Sequence, residues 1–181
     1  RGEIFVRSLQ SGTERRIYRN EERTLDNVFW SLDGQALLYF MDAGGDEGYH
    51  LFKLSPDSQN TPVDLTPIAG VQAELVARPS HAPHLLVVAL NARDPSAPDA
   101  FSINLDTGVL TEIARNPGLV TTWFADDAGQ VRAATEITQA GALRLLARDG
   151  EGEPWRPVFE APPDERLTVL RLAPDGRSAI V

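Results

Sequence analysis

The stretch Trp30-Ser-Leu-Asp-Gly-Gln-Ala-Leu-Leu-Tyr39 is a polar turn followed at once by an apolar run, and it decides the reading of the whole chain. Asp-Gly suits a tight hairpin, because glycine accepts positive φ and aspartate can bond its own backbone. The pattern returns as Leu172-Ala-Pro-Asp-Gly-Arg-Ser-Ala-Ile-Val181 and more loosely as Trp123-Phe-Ala-Asp-Asp-Ala-Gly-Gln-Val-Arg-Ala-Ala134. A degraded copy is Arg78-Pro-Ser-His-Ala-Pro-His-Leu-Leu-Val-Val88. The strands after these turns start near Leu37, Leu85, Val131 and Ser178, at intervals of 48, 46 and 47 residues. So constant a period marks an array of like units.

Each period repeats one order of elements. After the run 37–41 come a loop 42–48, a strand 49–54, a polar turn 55–60 and a short strand around 62–66. The second unit has 85–90, loop 91–98, strand 100–105, turn 106–108 and strand 109–114. The third has 131–137, loop 138–141, strand 142–147, turn 149–150 and strand 155–159. Phe101, Ile103 and Leu105 alternate with Ser102 and Asn104, the period-two pattern of a half-buried strand. Entering strands at 25–30, 71–77, 119–124 and 167–173 complete four strands per unit. Four-stranded units of about 45 residues are the blades of a β-propeller. A stack of sandwiched sheets would carry no such strict period.

The expected fold is therefore all-β: a β-propeller of about four blades of four-stranded antiparallel sheet, three whole and two half. The expected division is 1–24 for the end of one blade, then blades 25–70, 71–117 and 118–164, and 165–181 for the start of the next. Residues 3–9 and 15–20 read as third and fourth strands, and 167–181 as first and second strands. That register predicts a piece of a longer chain, begun and ended in mid-blade. Open half-blades expose strand edges, so self-association through them is expected as well.

Composition narrows the chemistry. The 181 residues are 42% hydrophobic and 24% charged, ordinary globular usage that argues against disorder. Gly 14 and Pro 13 supply a breaker about every seven positions, which leaves little room for long helices. With no Cys there is no disulfide framework, thiolate metal site or cysteine nucleophile. A net charge of −9 argues against a nucleic-acid partner, which calls for a basic footprint. No apolar run reaches membrane-span length, so no membrane partner is expected. A cytoplasmic location is the expectation.

The seed Trp30-Ser-Leu-Asp-Gly is similar to the Trp-Ser-Pro-Asp-Gly turn of the propellers of the prolyl oligopeptidase family of serine peptidases. Asp42-Ala-Gly-Gly-Asp-Glu-Gly-Tyr-His-Leu-Phe52 resembles that family's Asp-x-x-Gly-Asp-Glu-Asn-x-x-Leu-Tyr segment, with Gly48 standing where the family has Asn. Ala89-Leu-Asn-Ala-Arg-Asp-Pro95, followed by Asp99-Ala-Phe-Ser-Ile-Asn-Leu-Asp-Thr-Gly108, is similar to its Leu-Asn-x-Arg-Asp-Pro and Asp-Thr-Gly segments. The likeness is strongest to the acylaminoacyl-peptidase-like branch and runs over about residues 15–181. It implies a propeller that gates an α/β-hydrolase peptidase domain acting on short peptides, so the implied partners are that domain and the peptides. TolB-type propellers share the Asp-Gly turns, and a non-enzymatic protein-binding propeller of that type is the alternative.

Nothing in the chain supplies the hydrolase chemistry. There is no Gly-x-Ser-x-Gly elbow, and His50, His81 and His84 lack spaced Ser and acid partners, so no catalytic residue is assigned and the chain is expected to be inert by itself. No cofactor is implied. His81-Ala-Pro-His84 lacks a third ligand and reads as a turn, so no metal site is assigned. Asp42 to Glu47 lacks the alternating oxygens of a calcium loop. In the second-to-third-strand loops, Asp46, Glu47 and Arg93 are the candidates for a substrate or interdomain face, since carboxylates can hold an ammonium and Arg a carboxylate. The bland alternative is an acidic solvated loop, with Arg93 pairing with Asp94 or Asp99 to brace its own loop. Trp30, Trp123 and Trp155 are expected to pack between blades. Asp126-Asp127, Glu21-Glu22 and Glu151-Gly-Glu153 are expected to be solvated turns.

Overall fold

A computed structural model describes residues 2–42, 48–57, 61–162, 165 and 168–181. It divides into two compact units, Arg1–Ala73 and Glu74–Val181. The described residues form strands joined by turns and loops, without a helix.

The first unit holds β1 (Gly2–Arg7) and β2 (Glu14–Asn20), paired as a two-stranded sheet. It also holds β3 (Leu25–Trp30), β4 (Leu37–Asp42), β5 (Tyr49–Leu54) and β6 (Val63–Asp64), an antiparallel meander in chain order. Residues 37 to 41 of β4 are all buried, which is why that strand reads as a continuous apolar run. Leu37, Tyr39 and Met41 share one face, and with Leu54 of β5 they pack against Ile4 of β1. Val6, Ile17 and Tyr18 from the β1–β2 sheet close over the same cluster.

The second unit repeats the plan. β7 (Ala73–Ala77), β8 (Leu85–Leu90), β9 (Asp99–Asn104) and β10 (Leu110–Ala114) form one four-stranded meander. β11 (Val120–Ala125), β12 (Val131–Ile137), β13 (Leu143–Ala147) and β14 (Arg156–Glu160) form another. β15 (Arg171–Leu172) and β16 (Ala179–Ile180) make a further two-stranded sheet. Val87 and Ala89 of β8, Ala100 of β9 and Ala114 of β10 meet Trp123 of β11 and Val131 and Ala134 of β12 in one core, so the two sheets stack face to face. These are blades of a β-propeller, with the second strand of each whole blade most buried; all of β14, the last strand of its blade, is exposed.

The repeated turn explains the period atom by atom. After β3, Ser31 N–H donates to Ala36 C=O at 2.8 Å and Gly34 N–H to Ser31 C=O at 2.9 Å. Asp33 Oδ1 accepts from Gln35 N–H and the Ser31 hydroxyl, which together hold its carboxyl below the ordinary range. Gly34 sits at φ 71°, where a side chain would be strained. After β15, Ala173 and Gly176 make the equivalent bonds, and Gly176 is at φ 67°.

Two expectations need correction. Trp30 and Trp123 do not share a role: Trp30 is 42% exposed and Trp123 only 3%. Trp30 directly precedes the turn residue Ser31, whereas Trp123 lies three positions before Asp126, which makes the equivalent backbone bond to Gln130. Asp126 is not solvated but 6% exposed, accepting from Ala128 N–H, Gln130 N–H and Arg132 Nε. It takes over the turn-closing work that Ser31 and Asp33 share in the first whole blade.

Candidate functional site

The inner strands β7, β11 and β15 stand at the ends of their sheets, so each pairs along one edge alone. Together they line a cavity of about 310 Å³ in the second unit. Its wall runs from Glu74 to Arg78, from Val120 to Asp127 and from Leu170 to Leu172, with Ala89 and Pro98 behind. Thr121, Thr122 and Arg171 present exposed side chains there, while Leu75, Val76, Phe124 and Leu172 are half-buried. The wall is thus polar tips on an apolar floor.

One mouth is framed by the first-to-second-strand turns, which are bonded to one another. His81 N–H donates to Asp127 C=O at 2.9 Å, and Asp127 N–H to Pro174 C=O at 3.4 Å. A Cβ on Gly129 would lie 3.1 Å from Pro79 Cγ, and one on Gly176 2.8 Å from Arg132 Cγ, so neighbouring turns are in close contact.

At the opposite strand ends, Arg93 closes a clasp. Its Nε and Nη2 donate to the two carboxylate oxygens of Asp99, both at 2.8 Å, and Nη2 also reaches Asn116 C=O at 3.0 Å. Asp99 is 1% exposed. Burial pushes its carboxyl up, but Arg93 and the Asn116 N–H at 2.7 Å outweigh that and hold it below the ordinary range. The Asp99 hydrogen bond in turn raises the Arg93 guanidinium. The Asn116 side chain bonds Pro98 C=O and Val120 C=O, and Trp123 Nε1 donates to Pro98 C=O at 2.9 Å. The loop 91–98 is therefore fastened to the linker that enters β11 and to the cavity wall.

Of the three expected face residues, Asp46 and Glu47 lie outside the described residues. Arg93 lies in the clasp, paired with Asp99, with 39% of its side chain exposed. Several polar groups escaped sequence reasoning. His50 is buried, its Nδ1 2.7 Å from Asp64 Oδ2, which ties β5 to β6. Arg148 is buried, donating to Val131 C=O and Ile113 C=O with its guanidinium 4.7 Å from the Trp155 ring; burial pushes it down. Only the contact each makes with a neighbouring strand explains them, and a single sequence carries no signal for such contacts. Among the described residues, no cluster of three or more His, Cys, Asp or Glu is placed to hold a metal.

No protein-family model matches the sequence. Dipeptidyl aminopeptidase BIII of Pseudoxanthomonas mexicana is 27% identical over 166 residues, which is 91% of this chain. The chain spans only 24% of that relative's length. Among solved structures, a prolyl endopeptidase superposes with a TM-score of 0.59 at 14% identity, covering 82% of this chain and 22% of its own. TolB from Acinetobacter baumannii gives 0.57 at 12% identity, covering 97% of this chain and 47% of its own. At such identities the superpositions carry the fold alone, and the peptidase relationship rests on the sequence match. Blade, motif order and sequence match agree: the chain is a β-propeller segment similar to the propellers of the prolyl oligopeptidase family.

Proposed function

We propose that the chain is part of the substrate-gating propeller of a serine peptidase that hydrolyses short peptides, and is inert by itself. The observation that carries this is the match to a dipeptidyl aminopeptidase along 91% of the chain. Its mechanism is steric selection. Inner strands with stacked turns at one mouth and the Arg93 clasp at the other frame a lumen that suits an unfolded, narrow substrate. The partner is a peptidase domain in the same polypeptide, which supplies the nucleophile, base and acid. Arg93, with Asp46 and Glu47 in the preceding blade's loop, is proposed to face that domain or the substrate. Self-association through open blade edges is part of the proposal, since β16 pairs along one edge alone.

The test is hydrolysis by the full-length gene product of a short peptide and of a folded protein displaying the same sequence in a loop. Gating predicts cleavage of the first alone; equal rates on both would overturn it. N-acetylated against free-amino substrates separates an acylaminoacyl specificity from a dipeptidyl one. A non-enzymatic, TolB-like binding propeller is the second reading, supported by the superposition on TolB over 97% of the chain. It predicts no hydrolysis of either substrate.

A further inference from the structure

The chain holds three Asp-Gly pairs, Asp33-Gly34, Asp149-Gly150 and Asp175-Gly176. An aspartyl Cγ before glycine is open to attack by the glycine nitrogen, since no side chain shields that nitrogen. Whether the attack occurs depends on what holds the two groups, and the three pairs are held differently.

At two of them both reactants are engaged. Gly34 N–H donates to Ser31 C=O at 2.9 Å, and Asp33 Oδ1 accepts from the Ser31 hydroxyl and Gln35 N–H. Those bonds favour the ionised Asp33 carboxyl, the form that resists attack. Gly176 N–H donates to Ala173 C=O at 2.8 Å, and Asp175 Oδ1 accepts from Arg177 N–H. Asp149-Gly150, in the turn from β13 to β14, is arranged otherwise. Among the described residues, the Gly150 N–H makes no hydrogen bond. The Asp149 side chain is 83% exposed, and its partner Arg156 is 57% exposed, a solvent-screened pairing that holds the carboxylate only weakly. Arg132 Nη1 donates to Asp149 C=O, the other half of the peptide group that carries the Gly150 N–H. A cation on that oxygen stabilises the charge left when the N–H gives up its proton, which makes the nitrogen a better nucleophile.

We propose that Asp149-Gly150 is a site of self-modification, converting to isoaspartate in the folded protein while the other two pairs stay intact. The Gly150 nitrogen loses its proton and bonds to Asp149 Cγ; a carboxyl C–O bond breaks, and that oxygen leaves as water to give a cyclic imide. Water then adds to the former main-chain carbonyl carbon, the bond from that carbon to nitrogen breaks, and the chain continues through Cγ. One water is lost and one is gained, so the sequence of steps calls for no oxidant or cofactor. The product carries one more backbone atom between β13 and β14 and displaces the carbonyl that Arg132 holds. Its exposed carboxylate suits a carboxyl-methylating repair enzyme as partner. The site stands whether or not the parent protein is a peptidase.

The test is ageing of the full-length gene product at neutral pH, folded and in urea. Isoaspartate is measured by methylation with an isoaspartyl methyltransferase and by mass spectrometry of the peptides that contain each pair. In the folded protein it should build up at Asp149 at least about fivefold faster than at Asp33 or Asp175, the rate equivalent of one turn hydrogen bond that must first open there. In urea the three rates should converge. Gly150→Ala would place its Cβ 3.6 Å from Glu153 Cγ and 3.9 Å from Arg132 Nη1, ordinary contacts, so it fits the turn and should remove the product. No isoaspartate at Asp149, equal rates at the three pairs in the folded protein, a ranking that survives in urea, or an undiminished product in Gly150→Ala would overturn the proposal.

Discussion

Asp99 is the residue on which the clasp depends. Replacing it with Ala leaves the buried Asn116 N–H without its acceptor, and a loss of about 1–3 kcal/mol is expected by urea denaturation at pH 7. Its pH signature has a definite sign. The folded-state carboxyl is held below the ordinary value, so its stabilisation is present above about pH 3.9 and is lost as pH falls through the folded-state value. Asp99→Asn should therefore flatten the acid limb of the stability profile; an unchanged limb would show that other carboxylates control it. The bracing role of Arg93 was one of two readings open from its sequence neighbours Asp94 and Asp99. The clasp on Asn116 was not legible, because that partner is 23 positions away.

At the scale of elements, the turns set the period and their glycines can be compared. Gly34 and Gly176 share a left-handed conformation, but only Gly176 has neighbours where a side chain would go. Ala at Gly34 should cost about 1–2 kcal/mol from backbone conformation alone. Ala at Gly176 should cost more, since its Cβ would lie 2.8 Å from Arg132 Cγ and 3.1 Å from Asp126 Cβ. Equal midpoint shifts would mean that the Arg132 side chain simply moves aside. Leu86→Ala in β8, where the side chain is 2% exposed, should cost about 2–5 kcal/mol. Strand existence and order could be read from alternation and Asp-Gly turns, since both are local. The polarity of the interiors could not: Asp126 looks like any turn aspartate until Arg132 folds onto it at 2.9 Å.

For the whole molecule, the repeat carried the architecture because each blade is one copy of a local plan, and stacking buries what a single sheet cannot. The lumen was not visible in this way. Glu74 and Arg171 are 97 positions apart, and only the succession of inner strands brings them to one wall. Sedimentation velocity over a wide concentration range tests association through the β15–β16 sheet. A rising sedimentation coefficient is expected, and Ile180→Lys should abolish the rise; a constant value would remove self-association from the account.

If the propeller segment serves a serine peptidase as proposed, the reactive serine lies elsewhere in the polypeptide. Labelling the full-length gene product with a fluorophosphonate and mapping the modified residue tests it most directly. One labelled serine is expected, outside residues 1–181. A product that takes no label, or a label on a serine within these residues, would contradict it.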